Sequence, residues 1–157
     1  MCCDVLEQYL QFDKNKEGVL DGPMEVFTQD GTLESEMMFV NGKLNGQSIR
    51  YKHGRVASKS QFKDGMQEGV SFQYSAEGKL TAKVMYSKNK FNGPFICYTS
   101  EGKVIKSDTY VNGQLNGESC SFYPSGKLFQ KKTYKMGIPI GTHEKFFENG
   151  KPIEIDT

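Results

Sequence analysis

Glycine recurs along this chain at a nearly fixed interval. One series consists of Gly22, Gly46, Gly69, Gly93, Gly117 and Gly141, with successive spacings of 24, 23, 24, 24 and 24 residues. A second series consists of Gly31, Gly54, Gly78, Gly102, Gly126 and Gly150, with spacings of 23, 24, 24, 24 and 24 residues. A period of about 20 to 50 residues is the mark of a repeat array, in which each unit packs mainly on its neighbours.

Each unit carries two short segments with the composition of β-strands, separated by turns. Asn-Gly recurs at 41–42, 92–93 and 112–113, where a positive φ costs little. A unit of this length has no room for a crossover helix, so neighbouring strands must be antiparallel. We therefore predict an all-β fold, an elongated single-layer antiparallel meander of about six β-hairpin repeats.

Aromatic residues recur at fixed places in these strands. Counting every second residue along each strand places them on one face, which we call the aromatic trough. Because a one-layer sheet offers no other core, we expect the trough to be mainly structural. The trough residues are Phe27, Tyr51, Phe62, Tyr74, Tyr86, Tyr98, Tyr110, Phe122, Tyr134 and Phe146.

The first residues lie outside the repeat. Asp4 and Glu7 have the spacing of a helix capping box, and apolar residues follow at helical spacing as far as Leu10. We predict a helical cap over residues 1–14 and a repeat array over 15–157. The approximate units are 16–38, 39–61, 62–85, 86–109, 110–133 and 134–157.

Bulk composition narrows the partners and the compartment. The 20 Lys and Arg nearly balance the 19 Asp and Glu, which does not favour nucleic acid as a partner. No apolar stretch approaches the roughly 20 residues of a membrane span, and the N-terminus lacks the pattern of a signal peptide. Four cysteines without regular spacing argue against a disulfide framework. We expect a cytoplasmic protein.

The sequence contains little that would support catalysis. His53 and His143 are the two histidines and lie about four repeats apart, so on this fold they do not meet. Neither the cysteine nor the histidine spacing fits a zinc site, and Cys97 and Cys120 point to opposite faces. We expect no enzyme activity, no metal and no cofactor.

The repeated unit resembles the MORN repeat, and more closely its bacterial variant. The similarity covers roughly residues 16–151 and is plain in Phe62, Asp64-Gly65, Gly69, Tyr74 and Gly78-Lys79-Leu80. The resemblance implies an elongated β-hairpin array that binds proteins and in some cases lipid headgroups. Bacterial proteins built mostly of this variant are often classed as antitoxins or immunity proteins, which implies a toxin or effector as the partner.

The face opposite the trough should be polar, but two units depart from this rule. With Tyr98 opposite Val104, Cys97 should face Ile105; by the same register, Ser121 should face Phe129. These pairings predict an apolar patch that binds the partner. Its residues are Met85, Phe95, Cys97, Ile105 and Phe129. The alternative is that they are scattered surface residues.

These observations favour a non-catalytic protein-binding repeat module. The alternative is a peripheral scaffold that binds anionic lipid through the Lys-rich C-terminal half. An enzyme of unrecognised type is the least favoured reading. The sequence leaves the oligomeric state open.

Overall fold

The computed structural model describes residues 10–153, which form one antiparallel sheet. The strands are β1 (Leu10–Lys14), β2 (Leu20–Phe27), β3 (Leu33–Val40), β4 (Lys43–Leu44), β5 (Gly46–Lys52), β6 (Arg55–Lys63), β7 (Met66–Gln67), β8 (Gly69–Tyr74), β9 (Leu80–Ser87), β10 (Lys90–Tyr98), β11 (Val104–Val111), β12 (Gln114–Phe122), β13 (Leu128–Lys135) and β14 (Ile138–Lys145). Twelve follow one another across the sheet in chain order, while β4 and β7 are short pieces paired with β3 and β6. The predicted all-β meander of hairpins is confirmed.

The prediction of a helical cap over residues 1–14 is wrong for residues 10–14, the part that the structure describes. Residues 10–14 form strand β1, which pairs with β2 through Leu10 opposite Val26 and Phe12 opposite Met24. Apolar residues two positions apart therefore serve a strand here, although the sequence pattern also fitted a helix. The rest of the predicted helix, residues 1–9, lies outside the described residues. Between residues 10 and 153 the chain forms no helix.

The two long edges of the sheet are built differently. On one, which we call the turn edge, tight turns place two residues at positive φ, as at Asn41 and Gly42. On the other, the loop edge, five-residue loops close by two backbone bonds; in the loop 75–79, Ser75 N–H donates to Lys79 O and Gly78 N–H to Ser75 O. The loop edge has one exception. Lys52 pairs directly with Arg55, so a two-residue turn replaces the loop, and this missing residue produces both 23-residue spacings.

A β-bulge recurs at the start of the second strand of each hairpin and places the aromatics on two faces. In the second hairpin Arg50 pairs with Ser58, but Tyr51 pairs with Val56 because of the bulge. Arg50 and Phe62 consequently share one face, and Tyr51 lies on the other. The prediction that all the trough aromatics share one face is therefore wrong. The face of Tyr51 carries Phe27, Tyr51, Tyr74, Tyr98, Phe122 and Phe146. The face of Tyr110 carries Phe39, Phe62, Tyr86, Tyr110 and Tyr134.

The first glycine series, except for its last member Gly141, has a packing role that the second lacks. Gly93 pairs with Tyr110. Four other glycines of the series pair with an aromatic residue in the same way: Gly22, Gly46, Gly69 and Gly117. Gly93 has φ +117, and a Cβ there would lie 3.0 Å from Met85 Cγ and 3.1 Å from Met85 Cβ. At Gly102, of the second series, φ is +82 and a Cβ would meet nothing within 4 Å. The first five glycines of the first series therefore provide space between strands. Gly141 and the second series provide only turn geometry, since a Cβ at those positions would meet nothing within 4 Å.

The deepest burial lies on the Tyr110 face near the middle of the sheet. Ser71 and Asp108 are 1% exposed and Val84 is 5% exposed. These three residues share one cross-strand row, because Ser71 pairs with Val84, Val84 with Phe95 and Phe95 with Asp108. The Phe91 ring packs 5.1 Å from Tyr86 and 5.2 Å from Tyr110, which covers this row from the turn edge. The most buried part of this single sheet is thus one cross-strand row, which includes Phe95 and is covered by the rings of Tyr86, Phe91 and Tyr110.

Candidate functional site

The turn edge is held together by hydrogen bonds between successive turns. Gly113 N–H donates to Phe91 O at 2.8 Å, and Gly137 N–H donates to Leu115 O at 2.8 Å. Side chains reinforce the series, since the amide oxygen of Asn116 accepts from Met136 N–H at 3.1 Å. Equivalent bonds to side chains hold Asn41, Lys88 and Asn112. The edge is therefore a row of turns fixed relative to one another.

Large apolar side chains are exposed along this edge. Nine such residues occur in the described part of the chain, and eight of them lie at or beside the turn edge. We call these eight the apolar stripe: Val19, Met38, Val40, Met66, Val111, Met136, Ile138 and Ile140. The ninth, Phe147, lies at the loop edge. Exposed apolar groups that collect on one surface indicate an interaction site more strongly than scattered ones do.

The stripe is densest at the last turn of the turn edge, between β13 and β14. Ile138 is 66% exposed, Met136 is 55% exposed and Ile140 is 43% exposed. Ile138 pairs with Lys135 and Ile140 with Thr133, which places both isoleucines on the Tyr51 face. Ile140 stands where Asn116 and Asn92 stand in the preceding units, so an apolar group replaces the amide that caps the next turn.

The stripe is also bordered by lysines. Val40 pairs with Lys43, Met66 with Lys63, and Ile138 with Lys135. Paired residues in an antiparallel ladder share a face at about 5 Å, so each lysine stem lies beside an apolar neighbour. The surface is therefore amphiphilic and carries positive charge on its border.

The predicted patch of Met85, Phe95, Cys97, Ile105 and Phe129 is not assembled as the sequence suggested. Cys97 pairs with Lys106 rather than Ile105, because the bulge leaves Ile105 without a cross-strand partner. In the next unit Ser121 pairs with Gln130, so Phe129 is displaced in the same way. Phe95 and Cys97 lie on the Tyr110 face, and Met85 lies on the opposite face across from Val70.

The patch residues are half-buried and have neighbours within the sheet. The Phe95 ring lies 5.9 Å from that of Phe91, and the Phe129 ring lies 5.2 Å from that of Tyr123. These contacts give Phe95 and Phe129 a packing role. Their role in binding a partner stays a prediction.

A buried carboxylate lies close to that patch. Asp108 accepts a hydrogen bond from Ser119 Oγ at 2.6 Å and forms an ion pair with Lys106 Nζ at 3.0 Å. The hydrogen bond to Asp108 raises the pKa of Lys106. Because Asp108 is 1% exposed and each of its oxygens has a partner, we assign it a role in stabilising the sheet.

The cysteines and histidines of the described range lie on different strands or turns. Burial raises the pKa of the thiols of Cys97 and Cys120, which makes them poor nucleophiles at neutral pH. His143 lies on β14, with its Nε2 3.3 Å from Gln130 Oε1 on β13, whereas His53 occupies the short turn between β5 and β6. Among residues 10–153 no three His, Cys, Asp or Glu side chains are grouped to hold a metal ion. No helix in the same range is both long and apolar enough to cross a bilayer.

Sequence reasoning missed the apolar stripe although its signal was present. Two-residue turns normally place polar residues at their flanks, yet Val40, Met66, Val111 and Ile138 occupy those positions. The exceptions to the expected turn composition would have identified this edge.

Comparison with known proteins supports the repeat assignment. A family model described as MORN repeat variant matches residues 20–41, 67–88 and 115–136. The three matches are equivalent pieces of structure, each running from a strand that starts at the turn edge, through the loop edge, to the following turn. No curated protein matches the chain.

Two solved structures align weakly with the chain. One is a TarM mutant of S. aureus in complex with fondaparinux, α-GlcNAc-glycerol and UDP, with a TM-score of 0.44 and 13% identity. The other is TarM, with a TM-score of 0.44 and 14% identity. Each alignment covers 69% of this chain and 21% of the other, so the chain spans about a fifth of their length.

Proposed function

We propose that this chain is a non-catalytic protein-binding module and that its partner docks on the apolar stripe. The observation that carries the proposal is the position of eight of the nine exposed large apolar side chains at the turn edge. MORN repeats are in general modules that bind proteins or lipids, and three repeats of this chain match that family. The proposal adds a specific surface to that general role.

The rigidity of the turn edge suits binding. Association has to offset the ordering of side chains and loops at the interface. Here the turns are already fixed by bonds such as Gly137 N–H to Leu115 O. A partner therefore meets Met136, Ile138 and Ile140 on an ordered backbone, and little conformational entropy remains to be lost there.

The proposal extends to the class of partner. The resemblance to the bacterial variant favours a toxin or effector, which the chain would neutralise as an antitoxin or immunity protein. We place this activity in the cytoplasm, in agreement with the composition. An apolar centre bordered by Lys135 and Lys63 favours a partner with an apolar surface bordered by acidic side chains.

A lipid surface is the second candidate, and the same stripe provides its support. Apolar side chains beside Lys43, Lys63 and Lys135 are also what an anionic bilayer surface attracts. Flotation with vesicles of phosphatidylserine and phosphatidylcholine at low salt separates the two candidates. Flotation that is lost in the variant Ile138→Ser would favour lipid. If the protein does not float at low salt, the lipid candidate is rejected.

Partner capture from the native host tests the protein-binding proposal. The test variant combines Val111→Ser, Ile138→Ser and Ile140→Ser, which removes apolar area at three exposed positions. The matched control is Phe147→Ser, since Phe147 is exposed to a similar degree, 53%, at the loop edge. We expect a partner that is retained by the unmodified chain and by the control but lost from the triple variant. Equal retention by all three proteins would refute the assignment of the stripe.

A further inference from the structure

The short turn at the loop edge borders a cleft of about 590 Å³ on one side of the sheet. Its lining includes the basic residues Lys52, His53 and Arg55 together with Val56 and Tyr74. Within the described part of the chain its lining residues include no Asp or Glu. The cleft thus joins three basic residues to an apolar lining with one aromatic ring.

The missing residue changes the charge of the turn. In three of the regular loops an acid precedes the loop glycine, as at Asp30, Glu77 and Glu101. The corresponding residue of the short turn is His53, held at φ +51 beside Gly54. An acid that would repel an anion is therefore replaced by a nitrogen base at the mouth of the cleft.

Arg55 is held in place from the neighbouring loop. Its Nη1 donates to Ala76 O at 2.9 Å, while guanidinium has five N–H donors in all. Most of those donors are left for another acceptor, in a fork that suits carboxylate and phosphate. The exposed carboxylate of Glu77 lies on the same loop and competes for this charge. Its influence is screened by solvent.

An equivalent cleft two units further along provides an internal comparison. It has a volume of about 570 Å³ and lies between the loops 99–103 and 123–127, with Val104 and Phe122 in its lining. Lys103 is its one cation and stands where Arg55 stands in the short-turn unit. The shape of the cleft therefore belongs to the repeat, whereas the cluster of three basic residues belongs to the short turn.

We propose that the short-turn cleft is a binding site for a carboxylate or phosphate group carried on a flat apolar body. Arg55 and Lys52 would bind the anionic oxygens, and Tyr74 with Val56 would contact the body. The site lies at the loop edge, whereas the apolar stripe lies at the turn edge. The proposal therefore stands apart from partner binding, and substitutions in the stripe such as Ile138→Ser leave it unchanged.

Titration of the full chain with phenyl phosphate and benzoate tests the site. Calorimetry measures the affinity, and shifts of the His53 ring resonances in NMR spectra show whether the ligand binds in the cleft. Inorganic phosphate measures the contribution of the apolar body, and benzyl alcohol measures the contribution of charge. We expect saturable binding of the two aromatic anions, weaker binding of phosphate alone and none of the alcohol. N-acetylphenylalanine compared with its amide shows whether a peptide carboxylate is also accepted; binding of phenyl phosphate alone restricts the ligand to phosphate.

Variants decide between this cleft and general surface charge. We expect Arg55→Met to weaken phenyl phosphate binding about tenfold, equivalent to ~1.4 kcal/mol, and Lys103→Met to have no effect. Arg55→Lys should recover part of the affinity, because it restores the charge without the fork. Circular dichroism confirms folding; if Arg55→Met does not fold, Lys52→Met replaces it. Equal loss in Lys103→Met, unchanged affinity in the folded cleft variant, or unmoved His53 resonances would overturn the proposal.

Discussion

Replacing Gly93 by Ala tests whether the first glycine series provides space between strands. The new Cβ would lie 3.0 Å from Met85 Cγ and 3.1 Å from Met85 Cβ, and the residue would keep φ +117. A strained φ of this kind costs ~1–3 kcal/mol, and forced overpacking costs a further ~1–3 kcal/mol. Because Met85 Cβ is fixed to the backbone, the crowding cannot be relieved by a rotamer change alone. We expect a total loss of about 3 kcal/mol in the free energy of unfolding.

Gly102→Ala is the matched control for this substitution. Gly102 has φ +82, and its Cβ would meet nothing within 4 Å. The left-handed conformation costs ~1–2 kcal/mol, from which the reduced entropy of the unfolded chain returns ~0.4–1 kcal/mol. We expect a net loss of about 1 kcal/mol.

The two variants are compared by thermal and urea unfolding, followed by circular dichroism. A difference of about 2 kcal/mol corresponds to a difference in Tm of roughly 4–8 °C for a chain of this length. Equal losses at Gly93 and Gly102 would refute the reasoning, because they would show that positive φ alone explains both series.

Three further predictions concern single side chains. Asp108→Ala leaves Ser119 and Lys106 without their acceptor and should lower the free energy of unfolding in urea by ~2–4 kcal/mol. Glu101→Ala removes an exposed ion pair and should lower it by less than ~0.5 kcal/mol; similar losses in the two variants would contradict the role given to burial. The hydrogen bond from Tyr51 Oη to Glu36 raises the pKa of Tyr51 to about 12, so its contribution to stability is complete below pH ~10 and is lost as pH rises through about 12. Tyrosinate absorbance should show this late titration, and its persistence in Tyr51→Phe would show that another tyrosine is responsible. Met136 has φ +50, so Met136→Gly should raise the free energy of unfolding by up to about 1 kcal/mol, and a lowered Tm would show that its side chain packs within the sheet.

Much of the fold could be predicted because turn chemistry repeats. Positive-φ residues at fixed intervals determine where each strand ends, and short connections require antiparallel neighbours. The strand pairing of Gly93 with Tyr110 and of Gly117 with Tyr134 follows from that schedule.

The faces could not be predicted in the same way. Counting by two assumes an unbroken pleat, whereas the bulge between Arg50 and Tyr51 moves every later residue of its partner strand to the opposite face. This bulge separates Tyr51 from Phe62, and the equivalent bulge between β10 and β11 separates Cys97 from Ile105. Nothing in the composition of the bulge positions distinguishes them from ordinary strand residues, so the register needed three-dimensional information.

The candidate site was missed for a related reason. Phe95 departs from the expected alternation within a strand, whereas the exposed apolar residues of the stripe lie at or beside the turns. Exposure of Ile138 depends on which face it takes and on what lies beyond it in the sheet, and both follow from the register.

Site-specific photo-crosslinking in the native host tests the central claim most directly. A benzophenone amino acid is placed at Val111 or Ile138 in the apolar stripe, at Phe147 on the loop edge, and at Phe95 on the Tyr110 face. The account predicts that one and the same protein is crosslinked from Val111 and Ile138 and not from Phe147 or Phe95. Crosslinking of that protein from Phe95 alone, with none from either stripe position, would contradict it.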